Sequence, residues 1–113
     1  MFTTKDFLDM TGYFCFLSTD GITQFEVMSK NTEHCWNVVW NNGFFNLYHK
    51  HDINDDYHLH GQFNELFDCI LEIVDHDEWK LNIWRHKHVG KWKQPKTYFD
   101  ELIEKYCRRP VYA

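Results

Sequence analysis

The sequence predicts an α+β domain in which an antiparallel sheet of about five strands carries helices packed on one face. Four short strand-like segments follow one another in the first half of the chain, and Asn42-Gly43 separates two of them. Two later segments have the apolar spacing of amphipathic helices. The 113 residues are 43% apolar and 19% aromatic, which is enough for a core of their own. We therefore expect residues 1–113 to form a single domain.

A short helix and a first pair of strands are expected at the N-terminus. Thr3 or Thr4 can cap a helix through about Met10, with Phe7 and Leu8 as its buried side.

The first two strands are predicted at 13–18 and 22–28, on either side of the turn signal Asp20-Gly21. In the second strand Phe25 and Val27 share one face, which we expect to be buried.

The next hairpin gives the strongest local signal, because Asn-Gly suits the positive φ angles of a type I′ turn. It joins predicted strands at 34–41 and 44–51, and a two-residue turn fixes their register. The expected pairs on the core face are Trp40 with Phe45, Val38 with Leu47, Trp36 with His49, and His34 with His51.

The C-terminal half is predicted to continue as loop, helix, strand and helix. Residues 51–57 are polar and acidic, and Gln62 to His76 has an apolar stripe of helical period. Glu78 to Arg85 alternates and predicts a fifth strand. Thr97 and Asp100 have the spacing of a capping box at the start of the last helix.

Composition also indicates where the protein works. No apolar run approaches the roughly 20 residues of a membrane span, and the first residues lack a signal-peptide core. The four cysteines are scattered without a C-x-x-C pair, so we expect free thiols in the cytoplasm. A single Ala and two Ser, beside many Phe, Asn, Asp and His, suggest AT-rich coding of the kind found in phages and mobile elements.

Charge is strongly segregated along the chain. Residues 1–78 hold 3 basic and 14 acidic side chains, whereas residues 79–99 hold 6 basic and no acidic ones. A binding partner would respond to the electrostatic field of this asymmetric distribution, which the net charge of -5 conceals. Self-association of acidic and basic faces into a homo-oligomer is one expected consequence.

Histidines form the first candidate site. Six of the eight occur in H-x-H pairs, at 49/51, 58/60 and 86/88. On a strand such a pair points to one face, and the hairpin register adds His34 beside His51. We expect no cofactor here and interpret the histidines as a sheet end of half-buried or solvated side chains. The alternative is a zinc site, for which His34, His49 and His51 are the candidate ligands.

Carboxylates form the second candidate site. A 3, 4, 3 spacing places four of them on one face of the predicted helix, and three more lie in the preceding loop. The residues are Glu65, Asp68, Glu72 and Asp75 on the helix, and Asp52, Asp55 and Asp56 in the loop. No lysine or arginine occurs between Lys50 and Lys80, so this one-sign surface could meet a basic partner as a phosphate mimic.

The third candidate is a basic, aromatic stretch whose side chains suit phosphates and stacked bases. Its residues are Trp84, Arg85, Lys87, Lys91, Trp92 and Lys93. The alternative is that the tryptophans belong to the core. Because the chain as a whole is negative, direct binding of single-stranded nucleic acid is kept only as an alternative function.

Catalytic motifs are absent from the sequence: it has no G-x-S-x-G, no phosphate-binding glycine loop and no dinucleotide fingerprint. We therefore expect a non-enzymatic protein-binding module that docks on a larger basic or nucleic-acid-binding protein. Its general type would be a phage-encoded, anti-CRISPR-like inhibitor acting in the host cytoplasm. The rival function is a zinc-binding protein or metallo-hydrolase built on the histidines.

Overall fold

The structure, a computed structural model, describes residues 2–20, 23–81 and 97–107. A five-stranded antiparallel sheet has its strands in chain order, with helices packed on one face, so the predicted fold class is confirmed. The elements are α1 (Thr4–Leu8), β1 (Phe14–Thr19), β2 (Gln24–Ser29), β3 (Cys35–Asn41), β4 (Phe44–Lys50), β5 (His58–Phe63), α2 (Leu66–Lys80) and α3 (Tyr98–Cys107).

The first helix has the predicted cap. Thr3 accepts a hydrogen bond from the amide of Asp6, whose carboxylate accepts one from the amide of Thr3. This capping box satisfies two amides that a helix N-terminus leaves unpaired. Phe7 is fully buried as expected, whereas Leu8 is 37% exposed, so its predicted burial is wrong. The helix is too short to bury both neighbouring side chains.

The β3–β4 hairpin has the predicted register. Trp40 pairs with Phe45, Val38 with Leu47 and Trp36 with His49. Asn42 and Gly43 take φ values of 55° and 83°, as a type I′ turn requires.

The fifth strand lies elsewhere than predicted. β5 is His58–Phe63, which pairs with β4, while Glu78 belongs to α2. The alternation that suggested a strand at 78–85 therefore begins inside a helix, and residues 82–85 lie outside the described ranges. Trp79 is 55% exposed in the last turn of α2, so its hydrophobicity does not mark a buried strand face.

The second helix begins four residues later than predicted and ends four residues later. Its inner face includes Leu66, Ile70, Ile73 and Val74, all buried against the sheet. Phe63, which the helical stripe was expected to include, lies in β5 and packs at the edge of the same core.

The last helix is tied to the second by a buried carboxylate. Thr97 and Asp100 form the predicted capping box. The amide nitrogen of Thr97 lies 3.2 Å from Oδ2 of Asp100, and the amide nitrogen of Asp100 lies 3.1 Å from Oγ1 of Thr97. Glu78 accepts a further hydrogen bond of 3.1 Å from the amide of Phe99. A carboxylate at a helix N-terminus also interacts favourably with the helix dipole. Within the described residues, neither this helix nor the others are long and apolar enough to cross a membrane.

A candidate metal centre in the histidine cluster

Six histidines gather at the end of the sheet that is remote from the Asn42-Gly43 turn. We call them the histidine cluster: His34, His49, His51, His58, His60 and His76. They come from four parts of the fold, namely the residue just before β3, the end of β4 with its loop, β5, and the last part of α2.

Three of these histidines, which we call the histidine trio, are close enough to share one ion. Each of His34, His49 and His76 offers a ring nitrogen, and the three atoms lie within 4.8 Å of one another. Nδ1 of His34 is 3.0 Å from Nε2 of His49. Nitrogens bound to one tetrahedral zinc ion stand about 3.3 Å apart, given Zn–N bonds of about 2.0 to 2.1 Å. The His34 and His49 nitrogens are therefore close to this spacing, whereas the widest separation in the trio would have to shorten by up to about 1.5 Å.

Two nitrogens of the trio share a hydrogen bond, and a third is unpaired. Between His34 and His49, one imidazole must donate and the other accept. Nδ1 of His76 is buried and has no hydrogen-bond partner within the part of the chain that the structure describes. A buried nitrogen without a partner is costly, and a metal ion would satisfy its lone pair.

Trp36 forms the inner wall of the site. Its indole stacks on His49 with centroids 4.1 Å apart and an interplanar angle of 25°, and the ring edge meets His76 at 5.2 Å. The indole N–H donates to Oγ of Ser29 over 3.2 Å. Because Trp36 is fully buried and hydrogen-bonded, it fixes the plane of the His49 ring.

The buried carboxylate of Asp77 anchors the end of α2 beside the trio. It accepts hydrogen bonds from the hydroxyls of Tyr13 at 2.7 Å and Thr32 at 3.0 Å. Burial nevertheless raises the pKa of Asp77, since it disfavours the charged carboxylate. These contacts join α2 to β1 and to the β2–β3 connection, and so position His76.

Burial keeps the trio neutral. Burial and, to a smaller extent, the neighbouring histidines lower the pKa of His49 to about 3 and that of His76 to about 4. Burial also lowers the pKa of His34. Only the neutral imidazole has a lone pair to give to a metal, so at neutral pH these side chains are in the ligand form.

The structure brings together two of the three predicted metal ligands and adds one that the sequence did not indicate. His34 and His49 belong to the trio, whereas His51 is exposed and stacks on His34 with centroids 4.8 Å apart. His76 was missed because α2 was expected to end there, and no H-x-H spacing marks it. Its position one residue before Asp77, in an apolar helix stripe, is the only local signal.

The predicted acidic residues are spread over the length of the sheet. Asp52, Asp55 and Asp56 are exposed in the loop after β4, and Glu65 and Asp68 are exposed at the start of α2. The strand β5 runs between these two places, and its six residues span about 20 Å. The loop carboxylates and the first helix carboxylates thus form two surfaces.

The remaining two helix carboxylates are engaged within the molecule. Glu72 accepts a hydrogen bond from His60 over 2.8 Å. Asp75 is half-buried and makes an interaction of its own.

The other predicted features are only partly within the described residues. The basic stretch, with Trp84, Arg85, Lys87, Lys91, Trp92 and Lys93, lies outside them. Cys15, Cys35 and Cys69 are free thiols, the latter two buried, as expected for small apolar side chains.

Comparison with known proteins gives no relative: no family model, no curated protein and no solved structure matches the chain.

Proposed function

We propose that the protein binds a transition-metal ion, zinc in the first instance, through the histidine trio. The observation that carries this proposal is the convergence of three ring nitrogens within 4.8 Å, on side chains from the residue before β3, from β4 and from α2. Imidazole nitrogen suits zinc, copper, nickel and iron, and zinc accepts a tetrahedral arrangement without redox chemistry.

Charge and packing support the same function. Residues 1–78, which supply all three ligands, carry a net charge of -11, so the field around the site favours cations. His34 and His49 are 5% and 1% exposed, and Trp36 and Asp77 hold their surroundings rigid. A preformed site loses little conformational entropy when it binds an ion. We place the protein in the cytoplasm and assign it no enzymatic activity.

A calorimetric titration of the full-length, chelator-stripped protein with zinc tests the proposal. We expect one equivalent to bind, and we expect the ion to stabilise the fold by about 2.7 kcal/mol at one hundred times its dissociation constant. His76→Gln should abolish both effects, because it removes a ligand from a half-buried position.

His58→Gln is the matched control, since His58 is exposed and lies beside His49 but outside the trio. It should bind zinc as the wild type does. Equal binding by the wild type and His76→Gln, or no binding by the wild type, would contradict the proposal.

Docking on a basic protein surface is proposed as a second function. It is supported by the exposure of Glu65 and Asp68 on one face of α2 and of the carboxylates in the loop after β4. In this function the protein would be an inhibitor of phage or mobile-element type, anti-CRISPR-like, that blocks the nucleic-acid groove of a larger protein. Carboxylates would take the place of phosphates, so binding would be fast and sensitive to salt.

Charge reversal separates the two acidic surfaces. Baits of wild type, Glu65→Lys/Asp68→Lys and Asp55→Lys/Asp56→Lys would be used in quantitative pull-downs from the native host. We expect one double variant to lose a basic partner that wild type retains at low salt, while both variants keep wild-type unfolding curves. Unchanged recovery of the partner by both variants would refute docking through these carboxylates.

A further inference from the structure

A β-bulge turns one more histidine towards the trio. In the β4–β5 ladder Leu47 faces Gly61 and Tyr48 faces Leu59, which leaves His60 as the extra residue. Bulges re-aim side chains in this way. The ring centroid of His60 lies 5.7 Å from that of His49.

His60 also lies close to His76 and Trp36, which line other sides of the site. His60 lies 5.6 Å from the ring of His76 and 5.6 Å from that of Trp36, which it meets edge to face. It therefore borders the trio from the β5 side.

A carboxylate fixes the tautomer of His60. Its Nε2 lies 2.8 Å from Oε2 of Glu72, and the two side chains are only 21% and 38% exposed. An ionised carboxylate can only accept, so the proton is on Nε2 and the lone pair of the neutral ring is on Nδ1. Histidines that bind metals commonly donate their second nitrogen to a carboxylate in this way.

We infer that His60 is the fourth metal ligand, through Nδ1, and that Glu72 is the positioning residue that orients it. This inference rests on the proposed metal site. Four imidazoles fill a tetrahedral shell and leave no place for a reacting water, as in structural zinc sites. The ion would then clamp α2 and β5 to the β3–β4 hairpin, and the metallo-hydrolase alternative would lose its open coordination position.

His51 is the competing fourth ligand, and its ring orientation argues against it. Its ring is parallel to that of His34, with an interplanar angle of 10° and centroids 4.8 Å apart. An imidazole lone pair lies in the plane of its ring, so a metal bound by His34 lies in the plane of that ring. A stacked, parallel ring has its lone pairs in another plane and cannot reach the same ion without turning over.

Cobalt(II) titration of the full-length protein, followed by visible absorption, tests the inference. Four nitrogen ligands give the intense bands of tetrahedral cobalt. His60→Ala should weaken cobalt binding and reduce these bands, because water enters the shell. Glu72→Gln should weaken binding by about 10- to 100-fold while keeping the four-nitrogen spectrum.

The matched control is His51→Ala, which should keep both the affinity and the spectrum of wild type. Circular dichroism and unfolding of the metal-free variants verify that each is folded. A wild-type spectrum and affinity in His60→Ala, or the loss of the bands in His51→Ala instead, would overturn the fourth-ligand assignment and leave the trio intact. If wild type itself bound no cobalt and no zinc, the proposed function would fail as well.

Discussion

The two halves of the β3–β4 hairpin share strands, register and face, but different kinds of side chain are buried in them. Near the Asn42-Gly43 turn, Val38 faces Leu47, and both are fully buried. At the other end Trp36 faces His49, which is 1% exposed. The first pair presents only hydrocarbon to the core, whereas the second presents an indole and an imidazole.

Because of this difference, one half of the hairpin stabilises the fold under all conditions, whereas the contribution of the other half depends on pH and metal. Burying hydrocarbon stabilises the fold by about 25 cal/mol per Å² whatever the pH or metal content. Burying imidazole stabilises the fold only if its nitrogens find partners and its ring stays neutral. The histidine half of the hairpin is therefore the half that should respond to an ion or to acid.

The largest effect is expected from a truncation in the apolar half. Leu47→Ala should lower the free energy of unfolding by about 2 to 5 kcal/mol, because it removes a fully buried side chain and leaves a cavity. Urea unfolding with and without zinc measures this loss. We expect the same loss in both conditions, since no ligand lies at this position.

Leu47→Met is the control for that truncation, because it conserves volume and should cost less than about 1.5 kcal/mol. If adding zinc changed the loss of unfolding free energy in Leu47→Ala by more than the experimental error, the two halves would be coupled. The comparison between them would then be wrong.

The same hairpin shows what sequence can predict. Its register followed from a two-residue turn and alternation, both of which are local, and the facing of Trp36 and His49 was confirmed. The capping box at Thr97 was also predicted, since it depends on two residues three apart, and Thr3 was one of the two predicted caps of the first helix.

The site was only half predictable because its other half depends on non-local pairing. Residues 58–63 contain only two apolar side chains and carry a bulge, so only the ladder with β4 makes them a strand. Because β5 takes residues up to Phe63, α2 begins later than predicted; it also continues to Lys80, which places His76 well inside the helix and beside His34 and His49. The spacing of the H-x-H pairs along the sequence does not reveal which strands pair or where the helix begins.

A smaller effect, expected in the histidine half alone, is loss of stability in mild acid. The trio is neutral in the folded protein because burial lowers the pKa of each member, and that of His49 to about 3, whereas an unfolded histidine titrates near 6.5. Below about pH 6.5 the unfolded chain therefore binds more protons than the folded protein. The stability that the neutral trio contributes is complete above that pH and is lost as the pH falls towards 3.

Between about pH 7 and pH 5.5 we expect His49 and His76 each to cost the metal-free protein about 1 kcal/mol of unfolding free energy, measured by urea unfolding in chelator. Burial raises the pKa of Asp77 and of Glu78, so these carboxyls bind protons more readily in the folded protein and offset part of this loss as the pH falls. His76→Gln should make the pH dependence of the unfolding free energy shallower, whereas Leu47→Met should leave it unchanged. An equal slope in wild type and His76→Gln would show that His76 is not held neutral by the fold, and the two halves of the hairpin would then differ in shape but not in response.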